Sequence, residues 1–283
     1  MAVITISRGC FSHGQEIAEK VAEILGYECV SREILVEAAQ LFNVSEKKLI
    51  RSLNDAPNIL ERMVRGRDRY LEYIKAALLE YARKGNVVYH GHAGHFLLTE
   101  IPQVLKVRII ADKDDRIKLL QQRENVTKEA AAEVIENEDK NRTDWTRYLY
   151  RMDIHDAKLY DIVINIGNLT IEDACEIICV AARSNSYRTT NESKQVVEDL
   201  AISSRLRAAL IPLCDAEVFV KDGDVHVNVA AQKRKKTGYA SPALQQHIGE
   251  AYQNDLTRQI NEIALNIPGV NKVFCQVEMP YYT

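Results

Sequence analysis

Val3-Ile4-Thr5-Ile6-Ser7-Arg8-Gly9-Cys10-Phe11-Ser12-His13-Gly14-Gln15-Glu16-Ile17 is the stretch that decides the fold. The β-branched run from Val3 to Ser7 reads as a buried strand, and a Gly/Ser loop follows it. Ile17, Val21, Ile24 and Leu25 then recur at helical spacing, with Gly26 where a helix C-cap belongs. A helix start leaves N–H groups without partners and carries partial positive charge, so strand, small-residue loop and helix together make a seat for phosphate. In the usual form, G-x-x-x-x-G-K-[ST], the lysine reaches the outer phosphates and the hydroxyl holds magnesium. Here Gly9 and Gly14 fit, but Gln15 and Glu16 stand in the lysine and hydroxyl positions. As a bare motif, the stretch equally describes a tight turn between a core strand and a helix.

Outward from this corner, strands alternate with helices. Val87 to His90, Leu105 to Ile110 and Tyr160 to Ile166 read as further strands. Ser31–Leu41, Glu46–Ser52, Asn58–Lys84, Lys113–Gln122, Lys128–Asp139 and Ile171–Ala182 read as helices. That alternation predicts an α/β domain, a three-layer parallel sheet covered on both faces, over residues 1–183. Ser184 to Lys194 is polar and lacks a core face, so 184–195 reads as a linker. Residues 196–283 have another pattern: a helix at Leu200–Leu210, a hairpin at Glu217–Val229 around Asp222-Gly223, a helix at Leu256–Leu265 and a last strand at Val270–Val277. This predicts a small α+β domain.

The chain has 283 residues, a net charge of −3 and an apolar share of 46%. Nearly balanced charge points to no nucleic-acid or membrane partner. No apolar run approaches the roughly 20 residues of a membrane helix, and Met1-Ala2-Val3-Ile4-Thr5 does not read as a signal peptide. The six cysteines match neither a zinc ribbon nor a disulfide scaffold, which predicts a reduced, cytoplasmic protein.

Ile4-Thr5-Ile6-Ser7-Arg8, then Ser12, Gly14 and Glu16-Ile17-Ala18, resembles the start of the cytidylate-kinase-like family, whose members typically read I-T-I-S-R-x-x-G-S-G-G-R-E-I. Ser31-Arg32-Glu33-Ile34 is similar to the family's D-R-E-I segment. Asn86-Val87-Val88-Tyr89-His90-Gly91-His92-Ala93 is similar to its V-I-I-G-R-G-A strand end. Val107 to Ile110, Arg116, Asp139 with Arg142, and Tyr160 to Asn165 follow in the expected order, so the likeness covers roughly residues 1 to 182. The resemblance implies a P-loop nucleotide kinase that moves the γ-phosphoryl group of ATP, with Mg²⁺, to a nucleoside monophosphate. Ser7, Arg8, Ser12, His13, Gly14, Gln15 and Glu16 would then hold the triphosphate. Arg8 would substitute for the missing lysine through forked contacts to phosphate oxygens, and Glu16 would accept a water of the metal.

The chain also departs from the family. Phe11 and His13 occupy positions usually held by glycine, where Cβ atoms narrow the space for phosphate. His92 stands in place of an arginine, and Ser31 in place of an aspartate. A catalytically degenerate nucleotide-binding or sensing module is therefore the alternative to a kinase.

The resemblance implies a mobile lid that brings arginines over the phosphates, here Arg123 to Arg151. Phosphoryl transfer needs positive charge around the transferring group, and Arg8, Arg116, Arg123 and Arg142 are the catalytic candidates. Without the resemblance, the same residues would read as a solvated face with pairs such as Asp139 with Arg142. Arg32, His90, His92 and Asp139 are expected to face the acceptor. His90, His92 and His95 lack the companions of a zinc site, and they are expected to line the cleft at the carboxyl end of the second strand. His92 would change charge near neutral pH.

Glu217 to Val229 and Ile263 to Val273 resemble the BON domain, which implies a sensing or oligomerising role. A homo-oligomer stays open. Lys233-Arg234-Lys235-Lys236 is a weak basic patch, read as a solvated hairpin tip or a contact for an anionic lipid or nucleic acid.

Overall fold

The computed structural model describes residues 2–54, 66–231, 233–234, 241–279 and 281–282. The start of the helix expected at Asn58, and Lys235 and Lys236 of the basic patch, lie outside the described residues. Two compact units divide the chain, Met1–Lys194 and Gln195–Thr283.

In the first unit a five-stranded parallel sheet has the order β2-β3-β1-β4-β5. Its strands are β1 (Val3–Arg8), β2 (Glu28–Val30), β3 (Val87–Tyr89), β4 (Val104–Ala111) and β5 (Ile162–Ile166). The β-branched run of β1 is buried along its length because the strand is central, with Val3 paired to both Val87 and Val104. The edge strand β2 was not foreseen: it is three residues long and begins on an exposed glutamate, so it carries no strand pattern.

Helices α1 (Gly14–Leu25) and α8 (Ile171–Ala182) pack on the sheet through Ile17, Ala18, Val21, Ala174, Cys175, Ile178 and Cys179. Thr170 and Asp173 form a capping box that fixes where α8 begins. The remaining helices of this unit are α2 (Glu33–Phe42), α3 (Glu46–Asn54), α4 (Gly66–Lys84), α5 (Gly94–Leu97), α6 (Lys113–Glu124) and α7 (Lys128–Tyr150). The apolar period of α7 lapses at Asn141-Arg142-Thr143-Asp144, yet the helix runs on to Tyr150. Buried Trp145 and Thr146 hold its second half, and Arg151 ends it in the left-handed conformation.

Part of the stretch read as a linker is helical. Helix α9 covers Asn191–Leu210, and Thr190 and Ser193 exchange side-chain and backbone hydrogen bonds at its start. Local capping nucleates a polar turn that hydrophobic periodicity does not reveal.

The second unit has a three-stranded sheet, β6-β7-β9, made from β6 (Ala216–Lys221), β7 (Asp224–Val229) and β9 (Lys272–Val277). Two short strands, β8 (Lys233–Arg234) and β10 (Tyr281–Tyr282), pair with each other. Helix α10 (Pro242–Leu265) is longer than the apolar period at Leu256–Leu265 indicated. Asp222 and Gly223 both take positive φ, the turn that suits a two-residue hairpin, and the Asp199 carboxylate accepts both of their N–H groups. Among the described residues no helix is long and apolar enough to cross a membrane.

Candidate functional site

The site lies where β1 turns into α1. The Gly9 N–H donates to the Ile109 carbonyl (3.3 Å), and the Ile17 N–H donates to the His13 carbonyl (3.0 Å). Between them, the N–H groups of residues 10–16 donate to no acceptor among the described residues. A run of unpaired donors at a helix head is the backbone form of an anion seat.

Phe11 and His13 take left-handed φ of 57° and 61°, at a cost of roughly 1–2 kcal/mol each for an L residue. Their side chains do not fill the corner. Phe11 packs against Cys10, Ile117, Leu120, Ala131 and Ile135, the core beneath α6 and α7. His13 turns to Glu16, with Nδ1 3.3 Å from Oε2.

Three residues expected to hold phosphate have other partners. The buried Ser12 hydroxyl bonds the Gly9 carbonyl (2.9 Å) and the Ile109 carbonyl (3.3 Å), which ties the loop to β4. Gln15 donates to Glu19 on the surface (2.8 Å). Glu16 joins a chain with His13 and Lys20, and Lys20 reaches Glu172 (2.8 Å).

The arginines separate into two groups. Arg116 forms a forked pair with Asp139, both bonds 2.8 Å, and its Nε donates to the Cys10 carbonyl (2.8 Å). These two residues, expected to meet transferring phosphate and acceptor, instead brace the loop against α7. The i,i+3 pair of Asp139 with Arg142 is therefore not formed.

Arg142 donates to the Arg8 carbonyl (2.6 Å), and its Nε makes no hydrogen bond but lies 3.9 Å from Glu138 Oε2, a long ion pair. The Arg8 guanidinium makes no hydrogen bond or ion pair with a described residue. Burial lowers its pKa, the positive charges of Arg142 and Arg123 lower it further, and the Glu19 carboxylate opposes them in part. Three cations thus repel one another beside an unpaired run of N–H groups.

Gly14 makes the approach of Arg8 feasible: a Cβ on Gly14 would lie 2.6 Å from the Arg8 Cβ and 2.8 Å from its Cδ. Gly14→Ala is therefore expected to displace Arg8 and to cost about 1–3 kcal/mol in an overpacked corner. A denaturant melt reads the loss of stability, and an ATP-binding assay reads the loss of the site.

A cavity of ≈ 160 Å³ opens beside Arg8, at the carboxyl ends of β1, β2 and β3. Its lining includes Ser7, Arg8, Arg32, His90, His92 and Arg142, and no carboxylate among the described residues. This gathers the predicted acceptor residues except Asp139. Strand β3 ends at Tyr89, one residue short of the expected His90, so His90 and His92 lie in the turn that follows it. Tyr89 lies beneath that turn and donates to the His92 carbonyl (3.1 Å).

Burial and nearby cations hold all three histidines neutral. His92 is pushed down to about 3 by burial and Arg142, His90 to about 4 by burial and Arg8, and His95 to about 3 by burial and Arg108. The charge change expected of His92 near neutrality therefore falls well below it.

Several residues of the cleft escaped the sequence reading. His92 stacks on Trp145 (5.3 Å), Phe96 on Tyr150 (4.3 Å), and the His95 ring sits 4.8 Å from Tyr160. Arg108 donates to the Ile154 carbonyl (2.7 Å) and to the Tyr160 hydroxyl (3.0 Å). An arginine inside the apolar run of β4 was the available signal, because a buried charge requires partners. Among the described residues, no group of three or more His, Cys, Asp or Glu is placed to hold a metal ion.

Sheet order, phosphate-type loop and cationic cleft define an α/β protein of the nucleotide-kinase class. Residues 3–168 match the family described as "Cytidylate kinase-like family". The cytidylate kinase of Ignicoccus hospitalis is 28% identical over 184 residues, 63% of this chain and 97% of that one. The cytidylate kinase of Pyrobaculum aerophilum is 26% identical over 181 residues, 62% of this chain and 90% of that one. The crystal structure of an uncharacterized protein from Eubacterium ventriosum superposes with a TM-score of 0.52 at 22% identity, over 65% of this chain and all of that one, a likeness of fold. The chain belongs to the cytidylate kinase-like family.

Proposed function

We propose that the protein transfers the γ-phosphoryl group of ATP to a nucleoside monophosphate, with CMP the first acceptor to try. The observation that carries this reading is the set of unpaired N–H groups of residues 10–16 beside Arg8, a cation whose guanidinium makes no hydrogen bond or ion pair with a described residue. Those N–H groups would hold the triphosphate. Arg8, Arg142 and Arg123 would offset the charge that spreads over the transferring group. Arg32, His90 and His92 would orient the acceptor, whose phosphate oxygen forms the new P–O bond as ADP leaves. Arg116 and Asp139 would act on substrate through the loop they brace.

Mg²⁺ would arrive on the triphosphate with its own waters, since the described residues build no cage for it. Glu16 meets His13 through one oxygen and Lys20 through the other, and the remaining lone pairs of its carboxylate could accept one of those waters. We read the C-terminal unit as a BON-like regulatory domain, and the setting as the cytoplasm, where ATP is supplied.

A second reading, a binding module without turnover, is favoured by one observation. Gln15, in the lysine position, is engaged with Glu19 at the surface. Coupled detection of ADP release with CMP, dCMP and UMP separates the two. Acceptor-dependent ADP release supports the kinase. Thermal stabilisation by ATP without ADP release supports the module. Absence of both ADP release and thermal stabilisation by ATP contradicts both readings.

A further inference from the structure

The sheet of the second unit has two unlike faces. Val220, Val225, Val227, Val229 and Val277 pack against Ile202 and Leu206 of α9 and Leu256 and Ile260 of α10. The opposite face carries three cross-strand rows fixed by the register. Lys221, Asp224 and Lys272 form the first, Phe219, His226 and Phe274 the second, and Glu217, Asn228 and Gln276 the third. Phe219 is 63% exposed and Phe274 50% exposed. His226 stacks on Phe274 at 4.8 Å and lies 6.4 Å from Phe219, so the middle row is a continuous aromatic band.

We propose that this face is an interface with a second copy of the chain, the two sheets stacked on a two-fold axis that runs along the aromatic row. Charge selects both occupant and axis. Rotation about that axis lays each aromatic residue on its own counterpart and carries the first row over the third. Lys221 then meets Glu217 of the second copy, twice by symmetry, and Lys272 meets Gln276. A two-fold along the strands would instead set Lys221 over Lys272, a like-charge contact. The face is thus self-complementary in one orientation only, which is what an isologous pair requires.

Lysine side chains span the small lateral offset that sheets packed at roughly −30° introduce. Nine side chains per copy fall short of the about 20–30 of a stable interface. The association is therefore weak and concentration-dependent.

Sedimentation velocity of the full chain, across roughly a hundredfold range of concentration, tests this. The mass is expected to rise towards that of two chains. Phe274→Glu, at a half-exposed position and with unchanged circular dichroism as the control for folding, is expected to stay monomeric throughout. Lys221→Glu alone is expected to weaken association about tenfold or more, and Lys221→Glu combined with Glu217→Lys to restore it. A wild-type chain that stays monomeric overturns the proposal, including one whose face binds lipid vesicles or an oligonucleotide instead. So does a dimer indifferent to Phe274→Glu. Failure of the double exchange to restore association overturns the axis.

Discussion

Arg8→Ala is expected to lower kcat/KM for ATP-dependent phosphoryl transfer by about 10³-fold, the scale on which a single arginine at a transferring phosphate acts. The expectation rests on what Arg8 lacks. Arg116 has the Asp139 carboxylate and Arg142 has the Arg8 carbonyl, whereas the Arg8 guanidinium has neither hydrogen bond nor ion pair among the described residues. A half-buried cation beside two others, offset only in part by the Glu19 carboxylate, is unfavourable in the free protein and favourable once a polyanion arrives. Removing it should therefore leave thermal stability unchanged or raise it while turnover collapses. Steady-state kinetics with a matched thermal melt checks both halves. Equal loss of stability and activity would mean that Arg8 serves the fold.

The second large effect is acid lability of the first unit. His90 and His95 are 6% and 4% exposed, with pKa values lowered to about 4 and about 3. Above the unfolded value of about 6.5, both states are neutral and the histidines contribute no pH dependence. As pH falls from there towards the folded values, only the unfolded chain takes up protons, and stability drops. At pH 5 each histidine should have removed about 2 kcal/mol, a large share of an ordinary domain's stability. The surface carboxylates whose pKa values are lowered, such as Glu172 and Asp173, act only at lower pH. Urea midpoints at pH 7.5 and 5 measure the drop. His95→Phe should flatten it by about one proton's worth. Equal midpoints at the two pH values would show that the histidines are not held neutral.

Local pattern revealed the central strand, the loop and α1, because β-branched burial, small residues and the 3.6-residue period coincide there. It also gave α8 to the residue, Ile171–Ala182, where the structure shows a capping box of Thr170 and Asp173 fixing the start. The second half of α7 was hidden, because Trp145 is held by an aromatic stack assembled from distant segments. For the site, sequence order placed Arg8, Arg32, Arg142, His90 and His92 near one cleft. It could not tell which arginine would find a carboxylate. Arg116 and Asp139 are separated by a whole helix, and only tertiary packing brings them together. The neutrality of His92 likewise depends on Trp145 and Arg142, which no local pattern connects to it.

The central claim is that backbone donors at the head of α1, helped by Arg8, hold polyphosphate without a lysine. Titration of ATP into isotope-labelled protein, followed through the amide resonances of residues 10–16, measures this directly. The account predicts that these amides shift together and saturate on one binding curve, and that Arg8→Ala weakens the curve. Saturable ATP binding that moves other amides while residues 10–16 stay still would contradict it.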